Sequence, residues 1–505
     1  MSDALKLAPP IPAPRAGQRF TFSGLIGSSD AALIAQSALR YRSEFSVMVI
    51  FCAQAQEAQR LLEEIPAFAP QLKSRLLPDW EILPYDHFSP HQDLVSERLA
   101  TLYELLNGSC DIVLVPITTA LQKLGPPNFL SGHTFFFRQG DKLNEAALKL
   151  QLQQAGYDPV SAVMRPGEYS IRGGLIDLFP MGSSLPYRLD LFGDEIEQIR
   201  AFDPDTQRSL YPVKEVRLLP GHEFPFDDAS RTAFRNRWRE VFEGDPTRCS
   251  IYKDANLGIP SAGIESYLPM FFDEKSSLFD YFPRSGDPVW IWSIGGIEET
   301  IRGFWKDTQS RYEFLKHDLD RPILPPKELF LDVDEFFLSA KPHARITLEL
   351  GLSDQAHFFP VPDLAVHRRD ADPVSKLRAL VSTEKVRLLI CADSAGRKES
   401  IRQLLEESNS VAGLNGKPLY QLKPEGFDGV ADFIKSKGFL GLVTSPLLNG
   451  FSWPDQNLIV LTEAELFTTT ARQRRKGKGS ANTDPDMLFK DLSELKIGDP
   501  VVHAE

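Results

Sequence analysis

The stretches Val47-Met-Val-Ile-Phe51 and, after Asp111, Ile112-Val-Leu-Val-Pro116 are short, mostly branched and apolar along their whole length. A strand that reads apolar at every position is covered on both faces, which is the condition of a parallel sheet wrapped by helices. Helix-like stretches at 29–41, 53–65 and 93–107 surround these two runs. This alternation of strand and helix predicts a parallel α/β sheet.

Beyond Pro126-Pro127 the pattern changes. His133-Thr-Phe-Phe-Phe-Arg138, Gly174-Leu-Ile-Asp-Leu-Phe179 and Tyr187-Arg-Leu-Asp-Leu-Phe192 are short, aromatic or branched, and partly alternating, which predicts a small α+β domain over 126–212. A mixed region at 213–365 follows, with a strand at Pro288-Val-Trp-Ile-Trp292 and a helix near 295–317, and is expected to return to the first domain and complete its core. Ala365-Val-His-Arg-Arg-Asp-Ala-Asp-Pro373 is polar and ends in proline, so 366–380 reads as a linker. A further α/β domain is expected over 381–468, with strands at 386–391, 439–444 and 457–462 and helices near 394–407 and 427–436. Residues 469–505 open with the basic, glycine-punctuated run Arg472-Gln-Arg-Arg-Lys-Gly-Lys-Gly479, which reads as an exposed linker with weak DNA binding as the alternative. No internal repeat is evident.

A length of 505 residues accommodates about three domains of roughly 150 residues. A net charge of −13 gives no overall attraction to phosphate backbones or anionic lipid. Cys52, Cys110, Cys249 and Cys391 are far apart and form no CxxC pair, so neither a zinc site nor a disulfide framework is expected. With no export signal and no long apolar run, the expected location is cytoplasmic, away from membranes.

One motif raises the question of nucleotide. In Phe22-Ser-Gly24-Leu-Ile-Gly27-Ser-Ser-Asp30-Ala31, glycines sit where a strand turns into a helix. A P-loop needs a lysine for the β/γ-phosphates and a Ser or Thr for magnesium. With the first glycine placed on Gly24, Asp30 stands for the lysine and Ala31 for the hydroxyl, so a carboxylate would face the phosphates. Gly24, Gly27, Asp30 and Ala31 therefore read as a degenerate loop without ATP or magnesium. Asp194-Glu195-Ile-Glu197 looks like a helicase acidic box, but Phe192-Gly193 before it predicts a surface hairpin. His87 and His91 lie four apart with prolines at 84 and 90, no HExxH or GxSxG pattern occurs, and no catalytic or metal residues are assigned.

The second domain carries Arg165, Glu168, Arg172, Asp177, Arg188, Asp190, Asp194 and Glu195 interleaved with Phe179, Tyr187 and Phe192. Arginine forks and aromatics on one strand face suit a protein interface, and solvated charges over an aromatic core fit the same residues.

Three segments carry a resemblance. The run from Leu77-Pro-Asp-Trp to Leu102, the pair Gly167–Gly182 and Leu185–Ile196, and Asp491-Leu-Ser-Glu-Leu-Lys-Ile-Gly-Asp-Pro-Val-Val-His503 resemble the bacterial transcription-repair coupling factors. The middle pair lies in a domain shared with the excision-repair protein UvrB. The resemblance implies an amino-terminal portion stopping before an RNA-polymerase-interacting domain and a translocase motor. On that reading, 1–125 and 213–365 form a UvrB-like, RecA/helicase-type domain with a degenerate P-loop, and 126–212 is an inserted UvrA-binding domain. UvrB's damage-probing hairpin looks absent, because Tyr85-Asp-His-Phe-Ser-Pro90 runs straight into the helix around Ser96. The implied UvrA contacts are Arg165, Arg172 and Phe179 first, then Glu168, Arg188, Asp194 and Glu195. The family further implies ATP, magnesium, RNA polymerase and double-stranded DNA as matters for the absent domains, and a carboxyl-terminal domain covering the UvrA face. The rival reading is a self-contained UvrB-like helicase.

Overall fold

The computed structural model describes residues 11–283, 286–353, 356–367, 370–383, 386–409 and 420–467. The basic run 472–479 and the segment 491–503 lie outside the described residues.

The first unit is a six-stranded sheet in the order Arg19–Leu25, Ala344–Leu350, Trp290–Ile294, Met48–Cys52, Ile112–Pro116, Ser74–Leu76. Every neighbouring pair is parallel. Strands from 19–116 and from 290–350 share it, so the sheet is built from two stretches of chain, as the resemblance implies. Met48–Cys52 and Ile112–Pro116 are buried throughout, because both faces are covered.

Between the two stretches lies a second sheet, ordered Ser209–Val213, Glu195–Phe202, Tyr187–Phe192, Leu175–Leu178, Glu168–Arg172, Asp158–Pro159. Its pairings are antiparallel except the last. The sequence limit at 212 falls short, since Glu215–Leu218 pairs back onto Phe135–Arg138 and keeps the chain with the insert. One face of this sheet, with Ile176, Leu178, Leu189 and Ile199, is continuous with the core under the first sheet. Across that seam the buried guanidinium of Arg98 meets Glu223, Nε to Oε1 at 2.5 Å.

A third sheet follows, ordered Glu425–Gly426, Leu440–Thr444, Arg387–Ala392, Leu458–Thr462, Phe451–Trp453, parallel except at the last edge. Two boundaries shift here. The polar linker expected at 366–380 ends in a helix, Ser375–Thr383, whose Leu377 is wholly buried in the third core. Val374, Leu377 and Val381 recur at helical spacing and follow the polar stretch directly, so they belong to the fold beyond it. Phe359, in turn, exchanges backbone hydrogen bonds with Ser452 at the sheet edge.

The third unit packs on the first. The helix Ser29–Arg40 is buried from Ser29 to Ala38 on every side, which an ordinary surface helix never is. The first sheet covers one side of the joint core and third-unit residues including Phe433, Phe451, Trp453 and Val460 complete it.

Candidate functional site

Alternation in the inserted sheet divides its side chains into two sets. Tyr169, Ile171, Ile176, Leu178, Leu189 and Leu191 point into the core. The opposite face carries Glu168, Arg172, Leu175, Asp177, Arg188, Asp190, Phe192 and Arg200, placed side by side by the register Arg172 to Leu175, Asp177 to Arg188 and Leu175 to Asp190.

At the centre of this face Asp177 is buried and accepts from two arginines. Arg188 reaches it with Nε to Oδ1 at 2.6 Å and Nη2 to Oδ2 at 2.9 Å, and Arg172 adds Nη2 to Oδ2 at 2.8 Å. The Arg188 guanidinium also lies over the Phe202 ring, 4.8 Å from its centroid. Charge pairing at this geometry fixes planar guanidinium groups in direction. Arg172 keeps 53% of its side chain in water, so the carboxylate aims one arginine outward while holding the other down. Arg200 pairs with Asp190 at 2.6 Å and extends the row.

The two ends of the face differ. At one end Phe179 packs with Val163, Phe202 and Val160 beneath the segment around 160–165. Phe179 is 6% exposed, so it is a core residue and the expected surface anchor at this position is corrected. Glu168 is buried at the same end, where its Oε2 accepts from the Met164 and Arg165 amides at 2.7 and 3.0 Å. Arg165 lies over it, mostly in water, with Nε 3.4 Å from Oε1. The far end is open. Phe192 is 79% exposed there, and Leu175 is an apolar residue standing on the polar face. Gly193 takes a positive φ of 67° in the tight hairpin joining Phe192 to Glu195. Asp194 faces Lys142 at 3.8 Å, and the backbone of Lys142 pairs antiparallel with that of Glu195, so these two acids border the open end without joining the Asp177 cluster. Leu175 and Arg200 are absent from the sequence-derived set; the signal for Leu175 is its even spacing from Asp177.

The glycine loop stands elsewhere, at the end of Arg19–Leu25. Gly24 and Gly27 have φ of +85° and +55°, the left-handed turn the motif needs. Asp30 is fully buried and salt-bridged to Arg60, Nη2 to Oδ2 at 2.5 Å, while Arg60 Nη1 contacts Glu64 Oε2 at 2.6 Å. Burial opposes the charge of Arg60, yet its bonds to Asp30 and Glu64 hold the proton more firmly than usual; burial pushes Glu64 above the ordinary carboxylate range. The Ser28 amide donates to the carbonyl of Asn449 at 3.0 Å. A Cβ at Gly27 would stand 2.3 Å from the carbonyl oxygen of Gly450. Ala31, at the position of the magnesium-binding hydroxyl, is buried with nothing polar to offer.

His87 lies in the irregular 81–91 loop, and His91 caps the helix Gln92–Leu106, accepting from the Asp93 amide. Among the described residues no group of three or more His, Cys, Asp or Glu could hold a metal, and no helix is long and apolar enough to cross a membrane. All four cysteines are free and buried.

Residues 135–224 match the family described as UvrB interaction domain, and residues 381–466 match the MFD D3 domain. The transcription-repair-coupling factor of Escherichia coli strain K12 is 38% identical over 499 residues, covering 97% of this chain and 42% of that protein. The chain belongs to the transcription-repair-coupling factor family. A second factor, from Haemophilus influenzae, is 38% identical over 85% of the chain and 37% of its own length. That from Myxococcus xanthus is 28% identical over 97% of the chain. The chain thus spans about two fifths of the length of the coupling factors it matches. The UvrB interaction match takes in the whole charged face together with the strand Glu215–Leu218 that the sequence limit left out.

Proposed function

We propose that this chain is the part of a transcription-repair-coupling factor that recruits UvrA, and that it does so through the open end of the inserted sheet without catalysing a reaction. The observation that carries this is a preset arginine on the same face as exposed apolar groups: Asp177 holds the half-exposed Arg172 across from Leu175, and Phe192 stands bare at the open end. Interfaces with a central aromatic and an arginine held in place lose little side-chain freedom on binding. The proposed contacts are Arg172, Phe192 and Leu175, with Asp194 and Glu195 at the rim and Arg165 at the covered end, while Arg188, held down on Asp177, braces the face. Phe179 and Glu168 support the face from beneath.

The chain is further proposed to bind no nucleotide of its own. A carboxylate pinned by Arg60 sits where a P-loop lysine would be, and protein backbone sits against the loop. This argues against a self-contained helicase. ATP, magnesium, RNA polymerase and double-stranded DNA are then handled by other domains of the longer coupling factors, one of which covers the UvrA face at rest.

Calorimetric titration with purified UvrA tests the recruitment. The chain should bind, and an Arg172→Ala, Phe192→Ala double variant with an unchanged circular dichroism spectrum should not. Equal binding by both would remove this face as the contact.

A further inference from the structure

The third unit meets the first at the glycine loop, and the contact is specific. We propose that the 447–450 loop of the third unit is the resident occupant of the first unit's former phosphate site, and that this plug locks the two units into one body.

Phosphate oxygens at a P-loop accept hydrogen bonds from loop amides at the start of a helix. Here that acceptor is protein. The Asn449 carbonyl accepts from the Ser28 amide at 3.0 Å, immediately before the helix Ser29–Arg40, and the Gly450 carbonyl lies against Gly27 so closely that no side chain fits between them. A neutral carbonyl suits a site whose lysine has become Asp30, since an anion would face a carboxylate.

The traffic also runs the other way. Glu64, on the first unit's helix Ala55–Phe68, accepts from the Leu448 amide and from Ser28 Oγ, both at 2.9 Å. One carboxylate oxygen therefore ties the loop of the first unit to the loop of the third, while its other oxygen binds Arg60, which in turn binds Asp30. Gly450 donates to Glu465 Oε1 at 2.8 Å, anchoring the plug within its own unit. Phe68 packs against Phe451 beside it, with ring centroids 6.3 Å apart. Of the residues standing where a lysine and a hydroxyl would bind phosphate, Asp30 is held by Arg60, which also binds the Glu64 that holds the plug, and Ala31 offers no polar side chain.

Hydrogen exchange on the whole chain tests the lock, because coupling between units is reciprocal. Glu64→Ala alters only the first unit, yet it should speed exchange of the amides at 448–450 by about tenfold or more. Gly450→Ala alters only the third unit, where a Cβ would press on the Val460 carbonyl, and should speed exchange at 28–32 by a similar factor. Amides of Leu388–Cys391 should be unchanged in both; if Gly450→Ala loses that protection, Glu64→Ala carries the test. Millimolar Mg-ATP should leave exchange at 26–32 unaltered. Acceleration confined to the mutated unit, or protection of 26–32 by Mg-ATP, would overturn the proposal.

Discussion

Arg188 grips both oxygens of Asp177, and this fork sits in the middle of the outward face of the inserted sheet. Replacing Asp177 with Ala strips the buried partner from Arg188 and the aiming partner from Arg172. The expected cost in urea unfolding is about 2 to 3 kcal/mol, below that of a fully buried pair because Arg172 is half in water. UvrA binding should weaken as well, since Arg172 regains the rotamer freedom the carboxylate removes. Asp177→Asn, which keeps the shape and one acceptor, should fall between the two.

Phe192 and Phe179 should separate affinity from stability. Phe192→Ala removes an exposed ring and should leave the unfolding midpoint within about 0.5 kcal/mol of the parent while costing about 2 kcal/mol of UvrA affinity. Phe179→Ala empties a packed site among Val163 and Phe202 and should cost about 3 to 5 kcal/mol of stability. A stability loss for Phe192→Ala as large as that for Phe179→Ala would contradict the assignment of faces.

The seam between the first sheet and the insert rests on Arg98 and Glu223. Arg98 also donates to the Pro78 carbonyl at 2.8 Å, and Glu223 accepts from Trp80 Nε1 at 3.1 Å. Arg98→Met leaves a buried carboxylate unpaired and should destabilise by about 3 to 5 kcal/mol. Adding Glu223→Leu should recover part of the loss, the remainder being the orphaned Trp80 indole, which a double-mutant cycle in urea measures.

Two groups in one cleft oppose each other in pH dependence. Burial pushes Glu265 up to about 7, against the pull of its hydrogen bond from Ser89, and pushes His222 down to about 4. Between the ordinary carboxylate pKa and about 7 the folded chain holds a proton on Glu265 that the unfolded chain has released, so this term loses stability as pH rises. His222 contributes stability that is present above its unfolded pKa and lost as pH falls toward about 4. Glu265→Gln should therefore raise the urea midpoint at pH 8 relative to the parent, and His222→Gln should flatten the acid side. Unchanged profiles for both variants would show that neither group titrates on unfolding.

What the sequence determined by itself is local. Uniformly apolar runs specify strands covered on both faces, so Met48–Cys52 and Ile112–Pro116 were readable, as was the return of the chain around Trp290–Ile294 to the first domain's core; its place in the sheet was not. The loss of lysine and hydroxyl at Asp30 and Ala31 is likewise written in residue chemistry, and so is the hairpin at Gly193. Period-two alternation even assigns Arg172, Phe179, Arg188 and Phe192 to one face. Which end of that face meets water was decided only by the tertiary structure, because the segment around 160–165 folds over Phe179 and Phe202 and leaves Phe192 bare. The same holds for the helix Ser375–Thr383, hidden behind a polar stretch, and for Asn449, which lies more than four hundred residues from the Ser28 amide it accepts from. Spacing along a chain fixes the direction of a side chain; coverage depends on which distant segment arrives above it.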